Sequence, residues 1–301
     1  MPAKMSTLTA SASPPLSTPP VATPGPLDAR AVGVMTLLCL VWSLQQISLK
    51  AVAPLASPML VIALRSAVAI GLLAVLMRHR GEALGAGRWR PGLLAGALFG
   101  VEYLLVSEAL AVTAASHVVV FLYTSPIFAA LGLHWRLPAE RLGPRQLLGI
   151  ALAFGGIAWA FLGGHAAAGP GGTDASWWGD LLALGAGAAW GATTVTIRCS
   201  SLAAAPATET LLYQLLGAFG LLLPVALLTG RWQVDATAAF WAHLAFQSLV
   251  VSFASFLTWC WLLRCYLASR LGVFSFLTPL DRKSTRLNSS HSQQSRMPSS
   301  A

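Results

Sequence analysis

The sequence predicts an all-α integral membrane protein: two inverted repeats of five transmembrane helices, with helix 9 cut short and helix 10 missing. Three observations predict it. The chain of 301 residues is 56% hydrophobic and only 10% charged. A soluble domain carries about 25% charged residues, so there is too little polar surface here to cover a globule. The basic residues behind the formal charge of +9 sit in short gaps between apolar runs. They form no single patch of the kind a polyanion would need. Finally, the chain repeats itself weakly at offsets of 148 and 153 residues. The first two observations exclude a soluble enzyme and a nucleic-acid-binding module.

The elements follow in chain order. Residues 1–28 hold seven prolines among Ser, Thr and Ala. Such a segment cannot bury enough apolar surface to order itself. It also lacks the compact apolar core and small-residue cleavage site of a signal peptide. Residues 1–30 therefore read as a disordered cytoplasmic arm. Apolar runs then follow at about 31–50, 58–77, 91–112, 115–134, 146–164, 177–197, 207–228, 238–263 and 267–280. About 20 apolar residues cross the roughly 30 Å hydrocarbon core, so the first eight runs are long enough to span and the ninth, ending at Leu280, is short. Cytoplasmic loops collect Lys and Arg. With the N-terminus inside, twelve basic residues up to Arg270 fall on the cytoplasmic side, among them Arg78, Arg88, Arg136, Arg198 and Arg264. The outer side keeps Lys50 and Arg231. Cys39, Cys199, Cys260 and Cys265 lie in or beside apolar runs without a C-x-x-C pair and read as small buried apolar residues.

The repeat is carried by particular residues. Ala115 to Phe121, leading to Ser125-Pro126, answers Ala268 to Phe274, leading to Thr278-Pro279. Upstream, Trp42 answers Trp190, Lys50 answers Arg198, and Pro58 answers Pro206. A spacing of five helices is odd, so equivalent helices cross the membrane in opposite senses. That inverted layout, with a site near the midplane, is the architecture of secondary transporters.

At these residues the chain resembles the drug/metabolite transporter superfamily, EamA type. The resembling segments are LVWSLQQISLKA from Leu40, ALAVTAASHVVVFLYTSPIFAAL from Ala109, LPAERLGPRQLLGIALAFGGIAW from Leu137, AAWGATTVTIR from Ala188 and ASRLGVFSFLTPL from Ala268. The resemblance implies a first five-helix repeat over 31–164 and an incomplete second over 177–280. It implies a carrier of amino acids, other metabolites or drugs across the inner membrane, often outward and without ATP hydrolysis. The pattern departs after Leu280, where the family continues into helices 9 and 10 and this chain turns to DRKSTRLNSSHSQQSRMPSSA. That polar, Ser-rich tail resembles translated sequencing-adapter read-through. The expectation is a C-terminally truncated copy in which residues 281–301 are non-native or disordered.

Ionisable groups inside spans cost several kcal/mol, about 2.5–3.5 on insertion scales, and face bundle interiors or wet cavities. Glu102 lies midway along the third run. It reads as a proton carrier or a counter-ion to a substrate amine, or as an ion-pair partner of Arg65 joining helices 2 and 3. Glu108, about 240° further around the helix, does not share its face and belongs nearer the outer end. Gln45 and Gln46 lie deep in the first run, and Gln46 shares a face with Trp42. One glutamine reads as interhelical glue and the other as cavity lining. Tyr103, Tyr123 and Tyr213 each offer an apolar body with a hydroxyl, and Tyr213-Gln214 fill the slot equivalent to Arg65. The candidate substrate-binding or coupling residues are thus Glu102, Arg65, Gln45, Gln46, Trp42, Tyr103, Tyr123 and Tyr213. His117 reads as a surface residue at the outer end of helix 4. Trp177, Trp178 and Trp232 read as interfacial belt. Gly92, Gly96 and Gly100, and Gly187 with Gly191, recur every four residues as helix-packing seams. Pro126 and Pro279 each remove a backbone hydrogen bond inside a run.

The function expected from sequence is a secondary transporter, an exporter of small metabolites, amino acids or drugs working by alternating access. It sits multi-pass in a bacterial-type inner membrane with its N-terminus cytoplasmic. Its partners are a small-molecule substrate and the bilayer, with no nucleic acid, no cofactor and no metal; a homodimer stays open. A sugar-phosphate or nucleotide-sugar carrier of the same superfamily is the alternative, but it calls for several basic groups in the cavity. A polytopic enzyme or sensor is a further one. No catalytic residues are assigned, since H-E-x-x-H, G-x-S-x-G and P-loop patterns are lacking.

Overall fold

The computed structural model describes residues 29–167 and 177–266. The arm before residue 29, the ninth run at 267–280 with its Pro279, and the polar tail lie outside the described residues. The described residues are helical apart from one isolated β-bridge between Ala56 and Val234 and short turns. The helices are α1 (Ala29–Val52), α2 (Pro58–Arg80), α3 (Trp89–Val112), α4 (Ala115–Leu122) and α5 (Ser125–Arg136). After them come α6 (Pro144–Ala167), α7 (Trp177–Arg198), α8 (Ala207–Leu228), α9 (Ala238–Ala245) and α10 (Phe256–Cys265). A π-helical stretch, Phe246–Ser255, joins α9 to α10 as one continuous rod. Six of these rods are long and apolar enough to cross a membrane: α1, α2, α3, α4 with α5, α8, and α9 through α10. The remaining two expected spans form helices α6 and α7, of 24 and 22 residues.

The burial pattern is that of a molecule in lipid. Leu37, Leu40, Leu44 and Ile47 stand exposed along α1 while Gln45 and Gln46 of the same helix are buried. Soluble proteins bury apolar side chains and expose polar ones; here large apolar side chains coat the outside, and polar ones such as Gln45, Gln46, Arg65 and Glu102 are buried among the apolar core. Trp177, Trp178 and Trp232 are exposed near helix ends, as belt residues are.

The fourth run is two helices rather than one. Pro126 has no N–H, and its ring would strike the carbonyl four residues back, that of Leu122. α4 ends at Leu122, and α5 restarts with Pro126 in its first turn. Thr124 donates twice to the Phe121 carbonyl, from Oγ1 at 2.7 Å and from its backbone N at 3.1 Å. The break faces α7 at Gly187, where an added Cβ would lie 2.9 Å from both the Phe121 and Leu122 carbonyl oxygens. The other small-residue seam lies between α3 and α8. An added Cβ at Gly100 would lie 2.8 Å from the Gly217 carbonyl oxygen, and one at Gly96 or Gly217 would collide with the facing backbone. Gly217 is the partner that the α3 spacing alone does not name.

The two ends of the bundle are fastened differently. At one end, Lys50 Nζ donates to the Leu110 and Thr113 carbonyls at 2.6 and 3.2 Å, placing a cation at the C-terminus of α3. Asp235 N donates to Leu55 O at 2.8 Å, tying the α8–α9 loop to the α1–α2 loop. His117 does not stand alone at the surface: its Nδ1 lies 3.0 Å from buried Asp180 Oδ1, joining α4 to α7. Glu108 pairs with Arg231 at this end. At the opposite end Arg88 meets Glu209 at 2.8 Å, Thr208 donates to Glu82, and Arg198 bridges Glu140 and the Leu263 carbonyl, each at 2.9 Å. Of the cysteines, Cys39 and Cys260 are buried as expected, whereas Cys199 is exposed and Cys265 half-buried. Cys199 follows the last turn of α7, beyond its packed face.

Candidate functional site: a closed aromatic chamber

Two helices supply the same three-residue pattern. Trp42, Gln45 and Gln46 on α1 stand at i, i+3 and i+4, and so do Phe99, Glu102 and Tyr103 on α3. Helical periodicity puts each trio on one face, and the two faces meet across a small interior cavity. Trp190 of α7, Gln214 of α8, and Phe256 with Trp259 of α10 complete it, with Leu122 and Tyr123 entering at the α4–α5 break. The free space is about 30 Å³. A buried water needs about 10–15 Å³ by this measure, so the space is large enough for a water or two and too small for an organic solute.

The walls are indole and phenyl rings. Trp42 packs edge-to-face against Trp190 at 5.4 Å and against Trp259 at 5.6 Å. Tyr123 meets Trp190 at 5.7 Å, and Phe99 meets Phe256 at the same spacing. Trp42 Nε1 donates to Ser255 Oγ at 3.1 Å, satisfying the one polar atom of that indole. These edge-to-face geometries are the favoured ones for aromatic pairs.

Polar groups in the wall divide into satisfied and unsatisfied. Gln45 Nε2 donates to Tyr103 Oη at 3.2 Å, which ties α1 to α3. Cys260 Sγ donates to Gln214 Oε1 at 3.6 Å. Glu102 is only 3% exposed, and its Oε2 has no hydrogen-bond partner; Gln46 Oε1 is likewise without one. Buried polar atoms are normally paired, and a buried charge left alone is costly. Four further buried atoms without partners, Nε of Arg65 and of Arg198 and the hydroxyls of Ser248 and Ser252, belong to residues outside the lining.

Arg65, 1% exposed, lies behind the wall rather than in it. Its guanidinium donates to Gln247 Oε1 and sits 4.5 Å from the Tyr103 ring centroid and 5.7 Å from that of Phe256. Gln247 Nε2 in turn donates to the Gln45 carbonyl at 3.0 Å. The direct Arg65–Glu102 ion pair considered from sequence is replaced by this stack and amide relay. Tyr213 also lies elsewhere: its ring packs on Gly92 in a small cluster with Ala95, Ile197, Leu202 and Ala205. Six of the eight candidates, Trp42, Gln45, Gln46, Glu102, Tyr103 and Tyr123, line the chamber. Trp190, the repeat equivalent of Trp42, and Gln214, next to Tyr213, line it as well. Phe99, Leu122, Phe256 and Trp259 carry no polar signal that would distinguish them from ordinary core. Among the described residues no three His, Cys, Asp or Glu side chains gather as a metal would require.

A multi-pass helical membrane protein with a polar, ring-walled chamber between its helices is the class these features define. The chain belongs to the EamA-like transporter family, whose model matches residues 29–162 and again 177–280. A solved structure described only as "Crystal structure of protein" has a similar fold, with a TM-score of 0.64 and 23% identity, covering 83% of each chain. A search of curated proteins found no match.

Proposed function

We propose that the chain is a secondary transporter that exports small organic solutes across a bacterial-type inner membrane by alternating access, coupled to protons, with its N-terminus cytoplasmic. The carrying observation is the chamber itself: lined from both family-matched segments, closed, and holding a buried carboxylate with an unpaired oxygen. A carboxylate shut away from water can hold a proton or a cationic group, and the exchange of one for the other is the simplest coupling such a site permits.

The inverted-repeat reading has its own support. Trp42 and Trp190, equivalent at the 148 offset, touch each other, as residues beside a twofold axis do. Lys50 and Arg198 share that offset, and their carbonyl partners Leu110 and Leu263 share the other offset of 153. The two contacts fall at opposite ends of the bundle, since Lys50 reaches Thr113 beside Asp180 at the start of α7, and Arg198 closes its far end. This is what inversion requires.

The sugar-phosphate alternative finds no foothold in the lining, where the charged side chain among the described residues is Glu102. The test is a metabolite- and drug-resistance screen in cells expressing the protein. We expect Glu102→Gln to abolish whatever resistance the wild type confers while membrane levels stay equal. Undiminished resistance would remove Glu102 from the transport step.

A further inference from the structure

We infer that the chamber selects a protonated aromatic amine without a carboxylate. The inference rests on the reading of this chamber as the substrate site.

The argument starts from the two lining atoms left without partners. Glu102 Oε2 and Gln46 Oε1 are both acceptors, and both belong to residues lining the chamber. In its ionised form the Glu102 carboxylate accepts only, so the ligand it then receives brings donors, and a protonated amine brings N–H donors and the opposite charge together. Charge-assisted hydrogen bonds of that kind are about twice as strong as neutral ones.

The walls give the second half of the specificity. Trp42, Trp190 and Trp259 crowd one side, and an indole face is the best aromatic partner for a cation. The same rings suit a flat apolar body on the amine. An aromatic zwitterion fits less well. Its carboxylate would need a cation, and Arg65 lies outside the lining and already donates to Gln247. An aromatic anion fits worst, because it would meet Glu102 with no cation among the described lining residues. The closed space of about 30 Å³ is smaller than any such amine, so the ligand enters a form opened at one end, and small-molecule sites of about 300–1,000 Å³ show the scale of that widening.

The experiment is calorimetric titration of the full purified chain in detergent at neutral pH with three probes sharing one ring: tryptamine, tryptophan and indole-3-acetate. We expect tryptamine to bind at least about tenfold more tightly than indole-3-acetate, with tryptophan between them. Glu102→Gln should weaken tryptamine about tenfold or more and leave the melting midpoint of the unliganded protein in place. Equal or tighter binding of indole-3-acetate overturns the inference, as does tryptamine affinity unchanged by Glu102→Gln. If that variant fails to fold, the ranking of the three probes on the wild type decides alone. Counterflow in proteoliposomes separates the two readings. Glu102-dependent tryptamine binding with no solute movement overturns the transporter reading and sustains the amine site. Movement of an anionic solute with no tryptamine binding does the reverse.

Discussion

Arg65 illustrates what a single buried residue does when its obvious partner is not the one it uses. Its guanidinium joins three elements at once: it donates to Gln247 of the π-helical stretch, covers Tyr103 of α3, and approaches Phe256 of α10. Lysine keeps the charge but not the planar stacking surface or the fork of donors. We therefore expect Arg65→Lys to lower the melting midpoint of the purified protein and Arg65→Ala to lower it further. The alanine variant leaves Gln247 Oε1 unsatisfied, a loss of about 1–3 kcal/mol. An Arg65→Ala protein melting with the wild type would show that the stack holds nothing. The sequence made Arg65 and Glu102 conspicuous because charges inside apolar runs are rare. It could not show that Arg65 would stack on Tyr103 and donate to Gln247, since ring-to-guanidinium contacts leave no spacing signature. Gln45 and Gln46 were legible as buried polar residues but not in their partners: both line the chamber, Gln45 donates to Tyr103, and Gln46 Oε1 has no hydrogen-bond partner.

At the scale of elements, glycine spacing was the most readable signal. Gly92, Gly96 and Gly100 put a flat strip on α3, and α8 lies against it with Gly217 opposite Gly96. No side chain fits between the backbones at Gly96 and Gly217. Gly217→Val should therefore separate the helices, at an overpacking cost of about 1–3 kcal/mol, and reduce the yield of folded protein in size-exclusion chromatography. Gly220, three residues along α8 with open space at its Cβ position, supplies the control. Val at 220 should leave the yield unchanged, and equal losses at both positions would mean that the seam is not the cause. The break between α4 and α5 was half legible. Pro126 announced a lost hydrogen bond, but only the packed Gly187 explains why the chain parts cleanly there rather than bending. The π-helical stretch was not legible. Its buried Gln247, Ser248, Val251, Ser252 and Ser255 fall on one face at ordinary helical spacing, so nothing in the pattern marks the wider turn.

For the whole molecule, the question is which end of the chamber opens and what holds it shut. Arg88–Glu209, Thr208–Glu82 and Arg198–Glu140 each join the first family-matched segment to the second at the end carrying most of the loop arginines. Glu209 and Glu140 side chains are fully buried, so removing their charge strands a cation and weakens the latch. The opposite end keeps its own fastenings, including Asp235 to the Leu55 carbonyl and Asp180 to His117. Neutralising Glu209 and Glu140 together should therefore shift the population toward a form open at the arginine end alone. Cys260 is a suitable reporter, because it is buried beside Gln214 in the chamber wall. With Cys39, Cys199 and Cys265 replaced by serine, a membrane-impermeant maleimide applied to inside-out vesicles should label Cys260 about tenfold more in Glu140→Gln/Glu209→Gln than in the parent. Tenfold corresponds to ~1.4 kcal/mol of population shift. Label supplied to right-side-out vesicles should show no gain. Equal gains from both faces would mean that the latches merely hold the bundle together. A gain from the outer face alone would reverse the assigned orientation, and with it the placing of Arg80 and Arg264, which flank one recess at that same end, on the cytoplasmic side.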